Sequence, residues 1–202
     1  MITHPINWIS PEQEVKTPPP QTLFAFIRWC LTGTYAALTL AAIASILSGV
    51  VETFTAALIG YVIDLILESS PQSLFAEKGF LLLAAVGFLF LIRPIFFFFS
   101  NYMQSIVISP NIRSSISIRI HRWTLGHSKS YFDNDFAGRI AQKEIQASRS
   151  LTDVVVELIH TVLFALASVA TSFWIISLID WRAGLIVVIS VSYTHLTLPT
   201  KA

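Results

Sequence analysis

The stretch "HSKSYFDNDFAGRIAQKE", residues 127–144, decides how the chain is read. It gathers acids, bases, an aromatic pair and a glycine, and long apolar runs lie on both sides of it. It is too short to be a domain and too specifically composed to be a linker. A short polar segment carried between two long apolar ones reads as a docking surface.

The bulk composition supports a bilayer as the solvent for the flanks. Of 202 residues, 54% are hydrophobic and only 12% charged, whereas a soluble domain carries about 25% charged residues. The formal net charge of +1 gives no general attraction to nucleic acid. The single cysteine, Cys30, excludes a disulfide framework and a Cys-rich metal site. His4, His121, His127 and His160 are too far apart for a local metal motif. No nucleophile, base and orienter set appears, so no catalytic residue is expected.

Moving towards the N-terminus, a second span is expected over residues 80–125, keeping a helical apolar pattern through "FFFFSNYMQSIVIS". After Pro110, Arg113, Arg119, His121 and Arg122 alternate with Ile, Ser and Trp, the pattern of a helix that has left the membrane and stays half buried. Residues 68–79, "ESSPQSLFAEKG", read as a short polar turn, and residues 35–67 as a first span longer than the ~20 residues a bilayer requires. Residues 21–31, "QTLFAFIRWCL", are either a helix at headgroup level or the first turns of that span. Residues 1–20, ending in a proline run, read as a disordered N-terminus without the apolar core of a signal peptide.

Moving towards the C-terminus, a third helix is expected over residues 138–179, polar at first and membrane-like from Val154. Asp180, Trp181 and Arg182 make a tight turn, and a fourth span opens at residues 183–190. The last twelve residues, "VSYTHLTLPTKA", interrupt it. They resemble one translated frame of a sequencing-library adapter, so residues 191–202 are expected to be non-native and the native reading to break near residue 190. Lys16 and Arg28 precede the first span and seven basic residues lie between the second and third, against only Lys78 and Arg182 in the other two turns. The positive-inside rule then places the N-terminus and residues 127–144 in the cytoplasm.

Tyr131, Phe132, Asp133 and Gly138, between two helices that leave the membrane, resemble the first intracellular loop of type I ABC exporters. "TAALIGYVIDLI" (residues 55–66), with Asp64, and the Trp181 turn are similar to the same family. The resemblance covers residues 21–190. It implies an all-α membrane protein whose long transmembrane helices extend into the cytoplasm and are joined by a short coupling helix, here as an incomplete exporter transmembrane domain. It also implies that Ser130, Tyr131, Phe132, Asp133, Asn134, Asp135, Gly138 and Arg139 dock a nucleotide-binding domain. ATP and Mg would act in the parent protein, beside a second half-transporter as homodimer or heterodimer, in a bacterial inner membrane. The residues agree chemically. The aromatic pair can plug an apolar cleft, the acids can cap the next helix, and Gly138 permits a turn that a Cβ resists. Lys143 and Ala147 stand where the family often has Arg and Asp, which puts any ion pair of that acid in doubt. No GxxxxGK[ST] loop occurs, so this chain is not expected to hydrolyse ATP by itself. The competing reading is a membrane-embedded interaction or receptor subunit whose loop binds an unrelated soluble partner.

Two charges fall inside apolar spans. Glu52 lies 16 residues before Glu68, and Arg93 lies 15 residues after Lys78. At 1.5 Å per residue both sit roughly 22–24 Å from the outer turn. A lone charge at that depth costs at least ~2.5 kcal/mol. Glu52 and Arg93 are therefore expected to face the protein interior and to pair. Pro94 is expected to bend its helix and free a carbonyl for Arg93.

Overall fold

The computed structural model describes residues 17–69, 71–133 and 137–197. Among them every regular element is a helix. In chain order these are α1 (Leu23–Cys30), α2 (Tyr35–Glu68), α3 (Pro71–Gly87), α4 (Arg93–Tyr102), α5 (Ser109–Leu125), α6 (Lys129–Asp133), α7 (Ala137–Glu157), α8 (Leu163–Ser177) and α9 (Trp181–Thr197). Wider π turns at Phe88–Ile92, Met103–Ile108 and Leu158–Val162 join α3 to α4, α4 to α5 and α7 to α8 without a break. Three continuous helices are long and apolar enough to cross a membrane: Tyr35–Glu68, Glu77–Leu125 and Gly138–Ser177. The second, of 49 residues, has far more than the ~20 residues needed to cross the hydrocarbon core. Their apolar windows are almost wholly unburied, and rings such as Phe80, Phe90 and Phe98 point outward, as side chains facing lipid do.

Two of the π turns have a plain cause. Pro94 and Pro110 each sit at the second position of the helix that follows one. Proline lacks an N–H and its ring crowds the preceding turn. The turn ahead widens to accommodate it, and the Arg93 N–H reaches back five residues to Phe88 O, as Ser109 N–H does to Gln104 O. The third, Leu158–Val162, has no proline after it and no such explanation.

Several expected boundaries move. The polar stretch at 68–79 is mostly helix: α2 runs to Glu68 and α3 already begins at Pro71. Proline at the first helical position gives up a donor that would have been unsatisfied anyway. Residues 21–31 hold a helix of their own. Gly33, with φ 87°, takes the left-handed conformation that separates α1 from α2. The helix of the fourth segment, α9, runs on to Thr197, while its apolar part ends at Val191. Residues 1–16, at the expected disordered N-terminus, lie outside the described residues.

The chain forms two compact units, with the crossings at 44–45, 98–99 and 161–162. In the first unit, α1, the start of α2, α5 and α7 close a core of Trp29, Cys30, Leu38, Met103, Val107, Ile112, Ile116 and Val155. The α5–α7 contact is stitched by Ser148 Oγ donating to Arg113 O at 3.0 Å and Arg113 Nη2 donating to Asp153 Oδ1 at 3.2 Å. The second unit packs on small residues. A Cβ on Gly49 would lie 2.5 Å from Phe164 O, and Ser168 Oγ donates to Gly49 O at 3.2 Å. Thr53 Oγ1 donates to Ser168 O at 3.3 Å. Gly184 of α9 leaves equally little room beside Ser177 and Phe173. Small residues that let backbones approach are how helices associate in lipid, where hydrophobic burial gives no drive.

Candidate functional site

Of the segment that opened the sequence reading, residues 127–133 follow directly on the end of α5 and residues 137–144 open α7. Gly126 ends α5, its N–H donating to Trp123 O at 3.1 Å. His127 Nδ1 lies 3.1 Å from Trp123 O and 3.2 Å from Thr124 O; both are acceptors, so the proton sits on Nδ1. The turn closes through Tyr131 N–H to Ser128 O at 3.0 Å, and α6 follows as five residues. Ser128 and Ser130 hydroxyls meet at 2.8 Å. Ring centroids step from Trp123 to His127 at 5.7 Å, to Tyr131 at 4.4 Å and to Phe132 at 5.3 Å. The aromatic pair is thus built into a ladder that continues α5, with Tyr131 still exposed and Phe132 half-buried.

The other members of the expected set are placed unevenly. Ser130 and Asp133 are exposed on α6, and Arg139 is exposed on α7. Asn134 and Asp135 lie outside the described residues, so their capping role stays an expectation. Gly138 does not occupy a special turn. It is the second residue of α7, its φ is not positive, and a Cβ there would meet nothing within 4 Å among the described residues. An alanine fits the same backbone, which removes the conformational reason for glycine.

Sequence reasoning passed over Arg119, which organises the unit around the site. Its side chain is buried, and Nη1 donates to Trp29 O and Cys30 O, both at 2.7 Å, while Nη2 donates to Thr32 O. The last carbonyls of a helix have no intrahelical partner and carry partial negative charge. One guanidinium from α5 satisfies them and clamps α1 in place. Thr32 Oγ1 and Tyr35 Oη donate to Arg28 O at 3.0 and 3.1 Å. The signal was available: Ile112, Ile116 and Arg119 share one helical face, so an Arg on that face is turned inward.

Inside the second unit, Arg93 and Glu52 form a two-pronged pair. Nε lies 3.0 Å from Oε2 and Nη2 3.0 Å from Oε1, and the Arg93 guanidinium lies 5.6 Å from the Phe97 ring centroid. Both side chains keep about two-fifths of their surface, 41% and 39%, so the pair is not enclosed by this chain as an interior position would be. Among the described residues the guanidinium bonds only Glu52; the wide turn, not an Arg93-to-carbonyl bond, accommodates Pro94. No group of His, Cys, Asp and Glu among the described residues is arranged to hold a metal ion.

Comparison with known proteins adds two findings. A family model described as the ABC transporter transmembrane region matches residues 38–194, and so reaches four residues into the adapter-like tail. A protein of Haemophilus influenzae described as an uncharacterized ABC transporter ATP-binding protein is 28% identical over 167 residues. The match covers 82% of this chain and 27% of that protein, so the chain spans about a quarter of the relative's length. No solved structure matches significantly.

Proposed function

The chain belongs to the ABC transporter transmembrane-region family, and from that premise we propose that residues 21–190 are the first part of the membrane domain of an ATP-driven exporter. The membrane spans contribute to the substrate pathway. The α6 tip, with Ser130, Tyr131, Phe132, Asp133, Asn134, Asp135, Gly138 and Arg139, docks a nucleotide-binding domain, fused in the parent chain or separate. ATP and Mg act on that domain, which is where hydrolysis takes place. A second half-transporter completes the pathway, and the N-terminus lies on the cytoplasmic side of a bacterial inner membrane.

One observation carries this reading: within the matched region, a five-residue helix with an aromatic ladder stands at the end of two helices that are themselves pinned together. The ring ladder ties α6 to the end of α5, so that a push on the tip is passed to that helix. Alternating access follows: closure of two nucleotide-binding domains displaces the tips, and the spans reorient as levers.

The test uses the complete parent transporter. Buried aromatic anchors dominate interfaces, each often worth about 2 kcal/mol or more. Replacing Tyr131 and Phe132 together by Ala is expected to leave nucleotide binding intact while reducing transport per ATP hydrolysed by tenfold or more. Normal substrate-stimulated hydrolysis with normal transport in that variant refutes the docking role.

A further inference from the structure

The first unit holds an open cavity of about 260 Å³. Phe26 and Trp29 of α1, Trp123 of α5, Tyr131 of α6 and Ile140 of α7 give it apolar, mostly aromatic walls. Two of those rings remain open to solvent, Trp123 44% and Tyr131 43% exposed. Rings left open in this way lack the contacts that a further side chain packed against them would supply. The chain itself leads up to this place. Trp29 Nε1 donates to Thr17 O at 2.9 Å, and Pro19 is part of the wall. The chain thus arrives at the cavity at residues 17–19, stiffened by its proline run.

The segment ahead of Thr17 supplies a fitting occupant. Residues 1–16, which lie outside the described residues, carry Ile6, Trp8 and Ile9 within four positions, between "THP" and "SPEQE". Trp8 is nine residues from Thr17. Nine residues extend to about 30 Å, so the tether is long enough for a cavity that begins at Pro19. An indole packs offset or edge-on against other rings, and Trp is among the side chains that bury most area. A short tether holds it near the walls at an effective concentration of about millimolar, ahead of a free partner of like chemistry. We propose that residues 6–9 fold back onto this cavity, with Trp8 among the rings of Trp29, Trp123 and Tyr131. One side chain then closes α1, α5 and α6 around it. Tyr131 also belongs to the docking set, so an occupied cavity restrains the α6 tip. That consequence rests on the docking reading, whereas the occupancy does not.

The test takes the full chain in nanodiscs. Ile9→Cys is combined with Ala147→Cys, at an exposed position of the wall, which leaves Trp8 in place; Cys30 is buried. Mild oxidation is expected to join the two new thiols within one chain. After trypsin, the peptide ending at Lys16 then stays linked to the α7 peptide that carries position 147. Adding Trp8→Ser removes the aromatic anchor and is expected to slow the link about tenfold or more, with helical content unchanged by circular dichroism. A loose tail links at the same rate with either residue at position 8, and a link formed only between two chains makes a second copy the occupant. Each of these overturns the proposal, as does the absence of any link. The unaltered chain gives an independent reading. Hydroxyl radicals are expected to oxidise Trp8 about fivefold more slowly in the native chain than in denaturant. Equal rates overturn the occupancy even if the cysteine variants fail to fold. Neither measurement reads transport or hydrolysis, so a failure here leaves the docking role to its own test.

Discussion

Glu52 and Arg93 are charges that neither helix could carry into lipid alone, and together they form two parallel hydrogen bonds. Their match in depth was legible because a helix advances by a fixed rise, so counting from each outer end suffices. Glu52→Gln leaves Arg93 uncompensated and is expected to lower the melting temperature of the detergent-purified chain by several degrees. The swap Glu52→Arg with Arg93→Glu should recover most of the loss; a swap no better than the single change refutes the pairing as a stabilising contact. Arg119 was less legible, since its partners are backbone carbonyls about 90 positions away, and a carbonyl leaves no mark in a sequence. Beneath that clamp Cys30 is fully buried, and burial pushes its thiol from 9.0 up to about 11, against the pull of the Arg119 charge. The unfolded thiol ionises first, so the stability this group contributes is whole below pH 9.0 and is lost as pH rises towards 11. Maleimide at neutral pH should label Cys30 only after denaturation. Arg119→Met, which frees α1, should make it label in the native state; equal protection in that variant removes the clamp from the account.

At the scale of elements, the existence of three long helices follows from apolar runs that no water-soluble helix of that length would need. Their ends do not follow as well. The polar residues between Glu68 and Gly79 suggest a loop, yet helix competence is set by the backbone, and a proline at the first turn starts a helix as readily as it breaks one. The wide turns ahead of Pro94 and Pro110 are likewise local responses that hydropathy does not register. Packing is legible only where the residue is small. Gly49 has its α8 neighbours at a distance no side chain tolerates, whereas a Cβ on Gly60, on the same helix, meets nothing within 4 Å. Gly49→Val is expected to destabilise the chain by ~1–3 kcal/mol through overpacking, seen as a lower thermal midpoint in detergent. Gly60→Val should leave the midpoint unchanged, and equal effects at both positions would mean that the close approach contributes nothing.

For the whole molecule, the membrane reading rests on composition and the orientation on charge, two properties spread over many residues and therefore hard to lose. The cavity beside Tyr131 is the opposite case. Its walls come from α1, α5, α6 and α7, and only folding brings Trp29 near Glu144, so no local motif announces it. Orientation offers the most direct test because it sorts residues by side. Seven basic residues lie between the second and third spans and two in the other turns, and moving such clusters outward across a charged membrane is unfavourable. Ser69 stands between α2 and α3, and Ser130 is exposed on α6. With Cys30 buried and silent, Ser69→Cys and Ser130→Cys each add one reactive thiol. A membrane-impermeant maleimide should label Ser69→Cys in intact cells and spare Ser130→Cys, and inside-out vesicles should reverse the pattern. Labelling of both from one side would mean that Tyr35–Glu68 and Glu77–Leu125 do not each cross the bilayer as single spans, whatever their length and composition permit.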